Sequence, residues 1–499
     1  MRINKNLLFY VVALSIFGAG IVFILSSGSR LDKAGTAQTN NTEAASVMPA
    51  PSEANKPVAG RAGIGKALSE NARSALSVLL LQIIVIIIAA RLLGSLFLKI
   101  GQPAVIGEMI AGILLGPSLL GLLSPSTISF LFPVSSMGTL KLLSEIGVIL
   151  FMFTVGMEMN AQHLREKAHA AVIVSHASIV VPFFLGVTLS LALYRPFAPP
   201  NISFMSFALF IGVAMSITAF PVLARILEEK GLSRSPLGST AIACAAVDDI
   251  TAWCLLTLVI AVSNGSGPGA SILTIFLSVL FIALMIFLIK PPLARVISRG
   301  IRSEKRGKVL LAGVMAFVMA CAWLTELIGI HALFGAFLAG VVMPSNAGYR
   351  AFLKERLETF SSAALLPLFF AFTGLRTQIT LLNDWQSVLI GAAIIAVAIA
   401  GKLGGSSLAA RWTGMSWRDS LSIGVLMNTR GLVELIVLNI GYDLGILPAR
   451  IFAIMVLMAL TTTFMTGPLL TLIRRGKTDE AELTPAASPS GQAASTGSL

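Results

Sequence analysis

Ala246-Val247-Asp248-Asp249-Ile250 sets two adjacent carboxylates inside an apolar run, Leu237–Val262, that is long enough to span a bilayer. A charged side chain at the bilayer centre costs about 2.5–3.5 kcal/mol on insertion scales, so an unassisted pair costs roughly twice that. Intramembrane carboxylates mark ion or proton pathways, and two in a row point to a site that trades protons for a cation. Neighbouring helical residues project about 100° apart. Asp248 and Asp249 therefore face different partners: one a water-filled cavity, the other a neighbouring span.

The rest of the chain agrees with a membrane setting. It is 56% hydrophobic and 12% charged, with a mean hydropathy of +0.88, which is a polytopic membrane protein and not a soluble one. The net charge of +13 sits in short loops between spans, where basic residues set topology rather than bind nucleic acid. Cys244, Cys254 and Cys321 lie in apolar runs as small hydrophobes, with neither disulfide nor metal spacing.

Residues 1–25 hold one hydrophobic segment, Leu7–Leu25, preceded by Arg2 and Lys5. It is either a signal peptide, with Ser26-Ser27-Gly28 as small residues for cleavage, or an uncleaved anchor; its length favours the anchor. Residues 26–73 read as a flexible linker and 476–499 as a disordered tail. Between them, 74–475 hold thirteen spans near 74–98, 103–123, 138–158, 170–194, 204–228, 237–262, 271–289, 308–329, 331–345, 359–377, 386–410, 419–443 and 449–473. The ninth is short, and a partly re-entrant course stays open for it.

Loop charge orients this all-α array. If the first core span enters from outside, the inner loops carry Lys99, Arg165, Lys167, Lys230, Arg234, a cluster over 290–308, Arg350, Lys354, Arg356, Arg411, Arg418 and Arg474. The main outer cations are Arg195, Arg376 and Arg450. The positive-inside rule then places the linker outside and the C-terminus inside.

Ile211-Gly212-Val213-Ala214-Met215 returns 212 residues later as Ile423-Gly424-Val425-Leu426-Met427, and Pro236 returns as Pro448. The fifth and twelfth spans are seven apart and cross in opposite directions, the mark of an inverted repeat. Both are interrupted at the same place. The first continues Ser216-Ile217-Thr218-Ala219-Phe220-Pro221, where Pro221 cannot donate to the Ile217 carbonyl. The second continues Asn428-Thr429-Arg430-Gly431. Broken helices in matching positions of two halves point to a substrate site, with free carbonyls to hold a cation. Asp248 and Asp249 correspond to Leu460 and Thr461, so only one half carries the carboxylates.

Lys402, amid Gly401, Gly404 and Gly405, is the candidate counter-charge, with snorkelling to the inner surface as the competing reading. A cation arriving at the carboxylates competes with their protons and with Lys402, which is antiport. Arg430 could steady the second break or neutralise nearby carbonyls; an i,i+4 pair with Glu434 is the plainer reading, and both stay open. Glu108, Glu145 and Glu326 could line a cavity or join helix-packing pairs, with packing the plainer reading, and His331 reads as a hydrogen-bonded helix-end residue rather than a proton relay.

Several stretches together resemble the monovalent cation:proton antiporter superfamily, in its bacterial second branch related to Kef-type and plant cation/H⁺ exchangers. They are Val105–Glu108 with Gly112–Ser118, Ser216–Arg225, Ala246–Asp249, Gly329–Phe337 and Asn428–Leu432. The resemblance implies a thirteen-helix sodium/proton antiporter fold with a dimerisation domain and a mobile core, working as a homodimer in the lipid bilayer. It implies that Asp249 binds the ion, that Asp248 pairs with Lys402, and that Thr218 is the polar residue at the first break. An Asp-Asp pair implies electrogenic exchange and often Na⁺ or Li⁺, while the remaining chain is closer to a K⁺ branch; Na⁺ ranks narrowly first. No cofactor is implied beyond the transported Na⁺ or K⁺ and H⁺. Kef-type channels carry a C-terminal nucleotide-binding domain, and no Gly-x-Gly-x-x-Gly fingerprint follows the last span here. Nucleic acid is not an expected partner. A gated K⁺ efflux channel, a non-transporting sensor or scaffold, and a sodium-coupled solute symporter are the competing functions.

Overall fold

A computed structural model describes residues 5–32, 71–72, 74–158, 168–232, 235–263, 268–293, 295, 304–344 and 347–474. Residues 33–70, 159–167, 296–303 and 475–499 lie outside the described residues. So does His163.

Among the described residues every regular element is helical. In chain order the principal helices are α1 (Lys5–Gly28), α2 (Ala75–Lys99), α3 (Ala104–Leu115), α4 (Val134–Glu158), α5 (Ala168–Phe197), α6 (Phe204–Ser216), α7 (Phe220–Glu229) and α8 (Pro236–Ser263). They continue as α9 (Pro268–Ala283), α10 (Glu304–Ile328), α11 (Ala332–Val341), α12 (Ala347–Phe360), α13 (Leu366–Arg376), α14 (Trp385–Ile399), α15 (Gly405–Trp412), α16 (Trp417–Met427), α17 (Leu432–Asp443) and α18 (Ala449–Arg474).

Each of the thirteen core positions read from sequence holds a helix, and all but one are long and apolar enough to cross a bilayer, counting α16 and α17 as one bent span. The exception is α11. Its ten residues rise only about 15 Å at 1.5 Å each, about half the hydrocarbon thickness. Its ends explain the shortness. Gly329 and His331 both hold positive φ at the entry, and Pro344 follows the exit. The tenth span also differs from its expected start at 359. The helix already runs from 347 as α12, passes a π turn at Ser361–Leu365 and ends as α13. Arg350, Lys354 and Arg356 are thus helical rather than in a loop. Nothing in Ala347–Phe360 breaks a helix after Gly348, and Lys354 pairs with Glu358 at 3.6 Å one turn on.

Two bundles form. Helices α5–α8 pack with α14–α18, and α2–α4 pack with α10–α13, while α9 joins them in sequence. The bundles meet where α17 passes α13 and where α18 passes α3. Small residues set the tight crossings: a Cβ on Gly340 of α11 would stand 2.2 Å from the Phe153 carbonyl oxygen of α4. The helix α1 lies against α5 and α6.

The repeat is visible in the packing. The half-helix α6 lies along α5, and its counterpart α16 lies along α15. Gly212 on α6 nests against Phe183 and Val187, and Gly424 on α16 against Leu403 and Ser407. Both half-helices begin on a serine cap, Ser203 accepting from the Ser206 amide and Ser416 from the Asp419 amide. Both then stop. Residues 217–219 and 428–431 are non-helical, and the α16–α17 pair bends by 41°. Pro221 stands at the second residue of α7, where a missing N–H costs nothing.

Candidate functional site

The two breaks cross in the middle of the first bundle. The Ala219 amide donates to the Thr429 carbonyl at 2.9 Å, and the Thr218 hydroxyl reaches the Met427 carbonyl at 3.0 Å. A half-helix that ends inside a membrane leaves carbonyls without partners and a negative dipole end. The carbonyls of α6 are taken by two buried cations. Arg430 donates through Nη1 to Ala214 O at 3.0 Å and through Nη2 to Met215 O at 2.6 Å. Lys402 donates to Ser216 O.

Each cation has its own carboxylate. Arg430 meets Glu434 at 3.1 Å, both fully buried. Both readings of Arg430 thus hold geometrically: it pairs with Glu434 and it holds the carbonyls of the facing break. Lys402 meets Asp248 at 2.7 Å, again with both side chains fully buried, so it does not snorkel. A π turn over Ala400–Gly404 carries Lys402, and Gly401 packs against Pro182 of α5.

Asp248 is saturated. Besides Lys402 it accepts from the hydroxyls of Thr218 at 2.5 Å, Ser175 at 2.9 Å and Ser178 at 3.3 Å. Lys402 is also held by Ser178, through its carbonyl at 2.9 Å and its hydroxyl at 2.8 Å. Ser216 turns its own hydroxyl back to Gly212 O at 2.6 Å, so it enters the cluster by its carbonyl alone.

Asp249 is the opposite case. It is fully buried, yet neither carboxylate oxygen has a hydrogen-bond partner. The Phe220 amide, at the start of α7, faces it as a weak backbone donor short of ordinary hydrogen-bond geometry. Buried carboxylates are ordinarily hydrogen-bonded or paired, because an isolated buried charge is very costly. Asn428 Oδ1 is likewise without a partner. Thr429 sits 3.4 Å from Thr466 Oγ1, and Arg430 is tied through its backbone to Thr463, whose hydroxyl donates to Arg430 O at 2.6 Å.

The structure therefore gathers Asp248, Lys402, Thr218 and Ser216 into one cluster, leaves Asp249 bare on the next face of α8, and puts Arg430 and Glu434 behind the break. Sequence reasoning missed Ser175 and Ser178. They are three residues apart on α5 and share a face, but hydroxyls on that spacing are common in membrane helices. It also missed Thr463. The repeat equates Asp249 with Thr461, but Thr461 bonds its own helix at Leu457 O, and Thr463, two residues on, does the work in α18.

A cavity of about 460 Å³ reaches the starts of both second half-helices, at Pro221 and Leu432. Its walls include Arg91, Glu108, Arg225, Lys354 and Glu358. Glu108 thus lines a cavity, the less favoured of its two readings, beside α2, where a Cβ on Gly94 would stand 3.6 Å from its Cγ. Glu326 caps α11 through the Ala332 amide at 2.8 Å, and Glu145 stands 3.7 Å from Lys141. At the far end of α17, Asp443 binds Lys141 at 2.8 Å and Arg376 at 2.5 Å.

An inverted pair of broken helices crossing over buried ionisable groups is the architecture of a secondary membrane transporter. Residues 74–475 match the transmembrane sodium/hydrogen exchanger family. The chain belongs to that family, within the monovalent cation:proton antiporter superfamily; these are multi-pass transporters, not enzymes. It is 45% identical over 399 residues to the Na⁺/H⁺ antiporter NhaS4 of Synechocystis, covering 80% of this chain and 97% of the relative. It is 42% identical to cation/H⁺ antiporter 17 of Arabidopsis thaliana over 81% of this chain and 49% of that one. It is 36% identical to K⁺/H⁺ antiporter 1 of Saccharomyces cerevisiae over 81% of this chain and 47% of the yeast protein. The chain thus spans about half the length of the plant and yeast relatives. The fold is similar to that of the sodium/proton antiporter MjNhaP1 of Methanocaldococcus jannaschii, with a TM-score of 0.55, 15% identity, and 78% and 93% coverage of the two chains.

Proposed function

We propose that this chain exchanges a monovalent cation, Na⁺ ahead of K⁺, for protons across the bacterial inner membrane by alternating access, with Asp249 as the binding group. One observation carries the reading: Asp249 is buried and bare beside an Asp248 that is fully committed. A buried carboxylate without partners is stable with a proton or with a cation, and each excludes the other. That exclusion is the exchange. Lys402 offers a second proton. When a cation draws the carboxylates into their charged form, a proton leaving Lys402 makes the cycle carry more than one proton per cation, and the exchange electrogenic.

The asymmetry of the two ends supports alternating access. The positive-inside reading puts Lys230, just past the end of α7, and the basic start of α12 with Lys354 on the cytoplasmic side, so the cavity beside Pro221 opens inward. Asp443, held by Lys141 and Arg376, closes the outer side. This is an inward-facing state. The same charges put the C-terminus in the cytoplasm. A homodimer within the lipid is part of the reading, since the apolar faces of α2, α9 and α10 are mostly exposed and need a hydrocarbon or a second protomer to cover them.

The test is proton efflux from acid-loaded proteoliposomes on adding Na⁺, Li⁺ or K⁺, with the membrane potential clamped and then free. Cation-triggered proton movement is the expected result; the responding ion gives selectivity, and dependence on potential gives electrogenicity. Cation leak without proton movement would replace antiport by a gated channel.

A further inference from the structure

We infer that α1 stays on the mature protein as a member of the transport bundle, and that Asp32 at its end is a positioning residue for the cation site. The inference rests on the exchange function proposed above.

The segment from Lys5 to Gly28 is one unbroken helix, followed by a single 3-10 turn, Ser29–Leu31. A leader cut near Ser26-Ser27-Gly28 would sever it just where its contacts are closest. Gly28 lies so near the Phe204 ring that a Cβ there would stand 2.0 Å from it, and Phe204 is fully buried and cannot step aside. One face of α1 also meets α5: a Cβ on Gly20 would stand 2.8 Å from the Phe184 ring, and Phe17 sits edge-on to that ring with centroids 5.4 Å apart.

Asp32 then makes the contact with a functional consequence. Its Oδ1 accepts from the Phe204 amide at 2.6 Å. The Tyr194 hydroxyl shares its one proton between Asp32 Oδ1 at 3.0 Å and Ile202 O at 2.7 Å. Phe204 is the first residue of α6, and its N–H is one of the four that a helix leaves without internal partners. Asp32 thus puts an anion at the positive end of the half-helix whose negative end is held by Arg430 and Lys402. Clamped at both ends, α6 delivers the Ser216 carbonyl to Lys402 and Thr218 to Asp248. When α6 slips, the fraction of protein with a complete site falls, and apparent cation affinity falls with it. The geometry also agrees with topology: Asp32 and the α5–α6 turn must share one side of the membrane, and loop charge places both outside.

Three measurements test this on the full chain. Intact mass of the purified protein is expected to include residues 5–28; a chain beginning after Gly28 would overturn the inference. In proteoliposomes, Asp32→Ala is expected to raise the KM for the transported cation about five-fold, the equivalent of about 1 kcal/mol for one lost cap, with the maximal rate within two-fold. Asp32→Asn keeps an accepting Oδ1 and is expected to stay near wild type. A variant that merely folds less well would lower the rate at constant KM, and that result would overturn the positioning role. If Asp32→Ala yields no protein, a Phe17→Cys/Phe184→Cys pair treated with a short bismaleimide, in a background without the three native cysteines, decides. It is expected to cross-link and leave exchange intact, because α1 travels with the bundle; failure to cross-link, or loss of exchange on cross-linking, would refute that. Absence of exchange in the wild type would instead sink the proposed function.

Discussion

Replacing Lys402 by methionine removes one member of a fully buried ion pair while keeping most of its volume. It leaves Asp248 charged among three hydroxyls and takes the cation from the carbonyls of Ser178 and Ser216. Breaking a buried pair from one side costs about 3–5 kcal/mol, because the remaining charge is uncompensated. Removing both charges, as Lys402→Met with Asp248→Asn, leaves no orphan ion and still offers an acceptor to Thr218. The double variant should therefore be more stable than Lys402→Met alone, by a coupling of about 2–3 kcal/mol. Thermal unfolding of the purified proteins, in one detergent and at one pH, reads the order. At no more than about 2–4 °C per kcal/mol, Lys402→Met should melt several degrees below wild type, and the double variant should recover at least half of that. A Lys402→Met protein as stable as wild type would refute the reasoning. So would a double variant no better than the single one.

Thr218→Val deletes the hydroxyl that bridges Asp248 and Met427 O; an unsatisfied buried acceptor costs about 1–3 kcal/mol, so cation affinity should fall about ten-fold or more while Thr218→Ser retains it, as read from exchange rate against cation concentration. Asp443→Ala removes the carboxylate that Lys141 and Arg376 share and should favour the outward-open form. A cysteine at the buried Ile440 should then react faster with an impermeant maleimide added outside, and an unchanged rate would refute the outer latch. Asp384 caps α14 at the membrane edge: bonds from Ser387 first, and then Arg450, hold its carboxyl below the usual range. A lowered carboxyl pKa gives stability that is complete above the unfolded value of about 3.9 and lost as pH falls through the folded one. The melting difference between wild type and Asp384→Ala should be constant from neutral to mildly acidic pH and close only below about pH 4; a difference that closes near neutrality would contradict the assignment.

Much of this was legible because membrane insertion punishes unexplained polarity. Every buried charge had to announce itself, which is why Asp248, Asp249, Lys402 and Arg430 stand out in sequence and all lie at one crossing in space. The two breaks were legible for a related reason: Pro221 and Gly431 cannot extend a helix without cost. What stayed hidden depends on partners across helices. Ser175 and Ser178 look like any membrane-helix serines until α8 presents Asp248 to them. Glu108 read as a packing group because part of its cavity wall comes from Pro221, Lys354 and Phe370, far away in the chain. The length of α11 was blurred because the hydropathy of Ile330, Val342 and Met343 continues past residues whose backbone leaves the helix. The start of α12 was blurred by its charge, which reads as a loop although its residues favour helix. Asp32 lay in a stretch with no periodic pattern, and only the fold brings it to the Phe204 amide.

Cation binding to the detergent-purified protein, followed by calorimetry together with proton release into a weakly buffered medium, tests the central claim most directly. Wild type should release protons as it binds the transported cation, and Asp248→Asn should still bind it. Asp249→Asn should neither bind the cation nor release protons. Wild-type affinity in Asp249→Asn would contradict the account, because the bare carboxylate would then not be where the ion goes.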